Sequence, residues 1–186
     1  MSWQIPVGLV AVIAVWAVLT YNALVRTRQQ VRESWSGIDT ELKRRYDLIP
    51  NLVEAVRGYA AHEREALEAV TSARARAAAS GGSPARQAAD ERPLVDGLSR
   101  LFAVAEAYPD LKASAHFLDL QQELANTEDR IQAARRFYNA NVRDLNTRIE
   151  VFPSNLVAAL AHFAPAEFFE VESATVRRVV DVSFPG

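Results

Sequence analysis

The chain has 186 residues, 21 basic and 23 acidic side chains, a formal net charge of −2 and no cysteine. The missing thiols exclude disulfides, thiol nucleophiles and thiolate metal sites, and a near-neutral chain without a basic stripe excludes a nucleic-acid-binding footprint. Residues 2–25 carry no charged side chain, so all the side-chain charge lies in a remainder of about one domain's length.

The uncharged run holds Ile5, Val7, Leu9, Val10, Val12, Ile13, Val15, Val18 and Leu19. As a helix it is about 36 Å long, enough for a hydrocarbon core of about 30 Å with some tilt. Those side chains favour insertion by roughly 3–5 kcal/mol, with no ionised group to oppose it. Trp3 and Tyr21 stand near its ends, where amphipathic rings favour the headgroup layer. A cleaved signal peptide would want basic residues before the run and a small-x-small site after it; neither is present, so an uncleaved anchor is expected, with the lipid bilayer as partner through residues 2–25. Arg26, Arg28 and Arg32 follow the run, then Lys43, Arg44 and Arg45. The positive-inside bias puts the N-terminus outside and residues 26–186 in the cytoplasm.

Beyond the anchor, apolar residues recur in steps of three and four: Val31, Trp35, Ile38, Leu42, Ile49, Leu52, Val53, Val56, Leu67 and Val70. That spacing marks one amphipathic face, and its heptad component suits coiled-coil-like packing. The phase is the same on both sides of Pro50, so one long helix is expected from the anchor to the turn Ser80-Gly81-Gly82-Ser83-Pro84, bent near Asp47–Pro50. A second helix is expected over about 85–107 with Leu94, Val95, Leu98, Leu101, Phe102 and Ala105 inward. Tyr108-Pro109-Asp110 breaks it, and a third helix carries Leu111, Leu118, Leu124, Ile131, Tyr138, Leu145 and Phe152. Phe152-Pro153 stops that helix, with Ser154 as N-cap of a short fourth helix from Asn155 to about Phe163. The expected fold is all-α: an N-terminal transmembrane helix followed by an antiparallel four-helix bundle with long, partly kinked helices. Residues 1–25 form the anchor, 26–171 the bundle domain, and 172–186 a tail that is extended or disordered.

Chemistry-bearing residues are sparse. Arg44-Arg45-Tyr46-Asp47 could bind an anion or acidic lipid, but a straight helix places Arg44 about 28 Å past Val25, and salt bridges within the bundle explain it better. A metal or enzymatic site would draw on His62 with Glu106, Glu123 or Glu128. Di-metal bundles use Glu-x-x-His, yet Tyr59, Ala113 and Ala159 stand three residues before His62, His116 and His162. Asn139, Asn141 and Asn146 are poor helix formers inside the third helix, suited to buried polar pairing or to a partner-facing surface. No catalytic, cofactor-binding or metal residue is assigned.

The segments Trp35-Ser36-x-Ile38-Asp39, Leu42-Lys43-Arg44-Arg45-Tyr46-Asp47-Leu48-Ile49-Pro50-Asn51-Leu52-Val53 and Gly58-Tyr59-Ala60-x-His62-Glu63 closely resemble the LemA family. So do Glu106-Ala107-Tyr108-Pro109-Asp110-Leu111-Lys112, Thr127-Glu128-x-Arg130-Ile131, Ala134-Arg135-Arg136-Phe137-Tyr138-Asn139 and Phe152-Pro153-Ser154-Asn155. The resemblance implies a bacterial protein with one membrane helix, a helical bundle and no established enzymatic activity; one branch of the family takes part in magnetosome formation. One departure is local: the family commonly has Gly-Phe where this chain has His162-Phe163.

The expected function is that of a single-pass helical adaptor or scaffold of the bacterial inner membrane, without catalysis or cofactor. Its partners would be unidentified membrane or envelope proteins, and not nucleic acid. A homo-oligomeric, membrane-organising protein is the alternative, and a metal-binding or enzymatic bundle is a distant third.

Overall fold

A computed structural model describes residues 3–171, and the expected tail, 172–186, lies outside them. All regular structure among the described residues is helical: α1 (Gln4–Tyr59), α2 (Arg64–Ala79), α3 (Pro84–Ala105), α4 (Pro109–Lys112), α5 (Ala115–Glu150) and α6 (Ser154–Leu160). The all-helical class with one long apolar N-terminal helix is therefore as expected.

The boundaries differ from expectation in two places. The first helix does not run to residue 79; it stops at Tyr59, and Ala60–Glu63 turn the chain into α2. Pro50 sits inside the continuous α1, as Pro93 does inside α3. The strong breaker was thus tolerated, while the stop fell just after Gly58. Ala60 is fully buried in that turn and its amide still bonds the Val56 carbonyl at 2.8 Å, so packing fixes where the helix ends. The second difference is α4, a single turn cut from the start of the third long helix.

The chain divides into two compact units. The first comprises the residues up to Thr40 with Gln132–Phe168; the second comprises Glu41–Ile131 and the residues from Phe169 onward. α1 and α5 each contribute to both.

In the second unit, α2 and α3 form an antiparallel hairpin about the Ser80–Ser83 turn. Gln87 Nε2 on α3 donates to the Ala77 carbonyl on α2 at 3.1 Å, and Gly97 lies against Val70. A Cβ at Gly97 would meet Val70 Cγ2 at 3.2 Å, tighter than ordinary contact, so a larger residue there requires Val70 to shift. Arg74 Nε on α2 donates to the Tyr46 carbonyl on α1 at 2.9 Å, which fixes how α2 returns along α1. Leu42, Ile49, Leu52, Val53, Val56, Leu67, Val70, Leu94, Leu98, Leu101, Leu124 and Ile131 are buried here, as their spacing predicts. Leu118 is exposed instead, because Phe117, Leu120 and Leu124 carry the buried face of α5.

In the first unit, α1 and α5 run antiparallel. Trp35 packs on Tyr138 with ring centroids 5.4 Å apart, and Phe163, well beyond the end of α5, meets Tyr21 edge-on at 6.0 Å. The Arg28 guanidinium lies 4.7 Å from the Phe163 ring centroid, a cation–π contact. Leu24, Val31, Ile38, Tyr138, Val142 and Leu145 are buried. The apolar residues from Ile5 to Leu19 are exposed. This one helix, with a mean hydropathy of 2.1 over its most apolar window, is long and apolar enough to cross a membrane. Such a run left bare of protein supports membrane anchoring, since soluble monomers rarely expose continuous apolar surface of this extent.

Candidate functional site

The densest polar constellation is buried in the second unit. Heptad-like spacing on α1 turns Leu42, Arg45, Tyr46 and Ile49 inward together, so a guanidinium and a phenol enter the apolar interior. Arg45 is 3% exposed and Glu91 on α3 is 0% exposed. The Arg45 Nη2 donates to Glu91 Oε2, and the Tyr46 hydroxyl donates to Glu91 Oε1. Gln87, one turn before Glu91, donates from Nε2 to the same Oε1 at 2.8 Å and lies 3.0 Å from the Tyr46 oxygen. Arg45 Nη1 reaches Glu128 Oε2 on α5 at 2.8 Å, and that carboxylate is 41% exposed. One arginine thus ties α1 to α3 and α5, while its Nε is buried without a hydrogen-bond partner.

Isolated buried charges cost several kcal/mol each, so the pair persists only because both ions are matched and their remaining valences are mostly filled. Three donors converge on Glu91, which suits a carboxylate fixing helix register. The expectation of salt bridges for Arg44 and Arg45 is met: Arg44 lies 3.8 Å from Glu41 at the surface, and Arg45 makes the buried pairs. Asp47 is exposed. Sequence reasoning missed Glu91 and Gln87. The signal was there, because 87, 91, 94, 98, 101 and 105 form one uninterrupted stripe of α3.

The residues considered for metal chemistry are spread out and otherwise engaged. His62 and Glu123 are exposed, Glu106 pairs with Lys112, and Glu128 pairs with Arg45. Among the described residues no group of three or more His, Asp or Glu side chains is placed to hold a metal ion. Glu63 accepts a hydrogen bond from the Tyr108 hydroxyl at 3.1 Å, joining the turn before α2 to the chain before α4. That bond, helped by burial and by the Glu63 charge, raises the Tyr108 pKa above its ordinary value, so the phenol remains a donor at neutral pH.

The first unit has a different polar arrangement, built on the segment after α6. Asn146 Nδ2 donates to the Ala166 carbonyl at 3.0 Å, and the Ala166 amide donates to Asn146 Oδ1 at 2.8 Å. The Tyr138 hydroxyl donates to the Glu167 carbonyl at 2.8 Å. Burial, then the Glu167 charge, pushes the Tyr138 pKa up to about 12. Asn146 is therefore a half-buried pairing residue, in line with the polar-pairing expectation, whereas Asn141 Nδ2 is buried without a partner.

Ser154 does not cap α6 through its side chain. Its hydroxyl lies 2.8 Å from both the Arg148 and the Val151 carbonyls, closing the end of α5 instead. α6 ends in a Schellman motif: the Phe163 amide bonds Ala158 O at 2.9 Å, the His162 amide bonds Ala159 O at 3.2 Å, and His162 has φ 53°. That left-handed conformation is one that a glycine adopts without a Cβ penalty.

Fold and surface together define an all-helical, membrane-associated protein whose buried charges are engaged in structure. The LemA family model matches residues 34–184. The chain belongs to the LemA family. It is 30% identical to Protein LemA of Metamycoplasma hominis over 74% of this chain and 63% of that protein. It is 26% identical to Magnetosome protein MamQ 2 of Paramagnetospirillum magneticum over 90% of this chain and 72% of that protein. Against Magnetosome protein MamQ of Magnetospirillum gryphiswaldense the identity is 25%, over 84% of this chain and 66% of the relative. The chain thus spans less than two thirds of the Metamycoplasma protein's length.

Proposed function

We propose that this protein is a single-pass, membrane-tethered helical adaptor that works by protein–protein contact without catalysis. In this reading the N-terminus lies outside and residues 26–186 lie in the cytoplasm of a bacterial inner membrane, as the arginines after the span favour. The observation that carries it is the division of polar groups. Among the described residues Arg45, Glu91, Gln87 and Tyr46 bond one another inside the second unit, so the polar groups buried there are engaged in holding helices together. What faces outward is mixed charge with exposed apolar residues, among them Phe137, 63% exposed in the middle of α5. An exposed aromatic amid arginines is the composition of an interface centre.

Crosslinking in intact cells, with a C-terminally tagged copy at native level and mass spectrometry, tests the proposal. A recurrent membrane protein other than this chain, linked to residues 26–171, is the expected result. Recovery of no partner overturns it.

The MamQ relatives favour a second reading, since their name ties them to the magnetosome, and the long heptad-bearing helices could array copies on a membrane. Crosslinks only between copies of the chain would select that reading over the first.

A further inference from the structure

α6 and the corner before it present apolar side chains that nothing in the fold uses. Phe152 is 74% exposed, Leu156 54% and Leu160 83%, and Val151 is exposed as well. Leu156 and Leu160 are one helical turn apart on a single face of α6, and Phe152 stands in the corner just before the helix. Three large exposed apolar groups within nine residues are an unusual surface for water to cover.

The level of this corner along α1 follows from the packing of the first unit. Trp35 faces Tyr138 across antiparallel helices. Both helices rise equally, so the end of α5 at Glu150 stands level with about residue 23 of α1, and Val151–Phe152 with about residues 21–22. Phe163, directly after α6, confirms the register by touching both Tyr21 and Arg28. Within the apolar run, Ala17, Thr20 and Ala23 are already partly covered and Leu24 is fully buried. Protein therefore packs along the last two turns of the uncharged stretch.

We infer that the α5–α6 corner is a second membrane contact, seating Phe152, Leu156 and Leu160 in the interfacial layer of the leaflet that α1 leaves. The occupant is lipid because the register puts this surface at the level where α1 is still uncharged and apolar, with Val18 and Leu19 exposed within a turn of it. The depth is shallow. Glu150, exposed and level with about residue 23, keeps the corner in the headgroup region, and Arg26, exposed about one turn further along α1, has a stem long enough to reach phosphate. The interaction follows the logic of an interfacial amphipathic helix, here held in place by a spanning one.

This inference rests on α1 being a membrane anchor, and the test separates the two. The full chain has no cysteine, so one thiol introduced by Leu160→Cys, Val12→Cys or Ala133→Cys carries a single polarity-sensitive fluorophore. Ala133 is exposed on α5 and, by the same register, about 22 Å past Val25. Each labelled protein is reconstituted in phosphatidylethanolamine–phosphatidylglycerol vesicles and quenched by lipid-borne nitroxide or by aqueous iodide. The expected result is nitroxide quenching at positions 12 and 160, at least half as strong at 160, and iodide quenching only at 133. Position 12 quenched by nitroxide while 160 behaves like 133 overturns the corner contact and leaves the anchor standing. Position 12 accessible to iodide overturns both. Position 160 shielded from both quenchers means that protein, such as a second copy, covers the corner, and also overturns the inference. Leu156→Cys repeats the reading on the same face should the label at 160 disturb folding.

Discussion

The two units solve the same problem, holding long helices in register, with different chemistry. The second unit uses charge: Arg45 joins the fully buried Glu91 and the half-exposed Glu128 across three helices. The first uses neutral groups, with Asn146 and Tyr138 gripping the backbone of an irregular segment while Trp35, Tyr21 and Phe163 stack around it. The difference teaches where each unit should fail. A buried ion pair is all-or-none, because removing one partner strands the other charge. Side-chain bonds to backbone are separate, and losing one loosens a segment while the helices stay packed.

The largest expected effect sharpens that contrast. Glu91→Ala should destabilise the protein by about 3–5 kcal/mol in denaturant titrations of the full chain in detergent. Glu91→Gln combined with Arg45→Met removes both charges while keeping an acceptor for Tyr46 and Gln87, and should restore most of the loss. A cost no larger than that of the exposed pair Arg57–Glu54, about 0–1 kcal/mol, would break the comparison.

Next in size, Asn146→Ala should cost about 1–3 kcal/mol by unpairing both backbone groups of Ala166. Hydrogen exchange should show that loss as faster exchange over residues 163–168, with α2 and α3 protected as before. A uniform rise across both units would contradict it.

His162→Gly should stabilise by about 1 kcal/mol, since a residue with a Cβ pays that much in the left-handed region. An unchanged midpoint would mean that the histidine side chain repays its strain.

The smallest effect is on pH dependence. Tyr138 keeps its proton in the folded protein to about pH 12, against the ordinary tyrosine value of 10.0 in the unfolded chain. The unfolded state therefore loses its proton first. The stability contributed by the neutral phenol is complete below about pH 10 and is lost as pH rises to about 12. The Tyr138→Phe variant should show a flatter decline over that window; identical slopes would show that the phenol titrates normally.

Much of the helical fold was legible in the sequence. The stripe from Val31 to Val70 and the stripe from Leu94 to Ala105 are mostly buried, and the Ser80–Ser83 turn falls where its glycines put it. The misplaced helix end has a physical explanation, because the apolar spacing runs on past Tyr59 while the turn at Ala60–Glu63 is held by the burial of Ala60 and by the bond from Tyr108 to Glu63, 45 positions apart. The spacing of the third helix puts Phe152 at the end of an inward stripe, but α5 stops at Glu150 and leaves it exposed. Glu91 was hidden for a related reason. A glutamate inside a stripe looks like a surface charge until the arginine that neutralises it, 46 positions away, is brought alongside.

The central claim is that the buried charges serve the fold and the outer surface serves the partner. The most direct test compares the in-cell crosslinking profiles of the doubly uncharged Arg45→Met, Glu91→Gln variant and of Phe137→Asp, each verified as folded and at native level. The account predicts that the first keeps the wild-type partner and the second loses it. A folded, charge-free variant that loses the partner while Phe137→Asp retains it would make the buried cluster a working site, and would contradict the account.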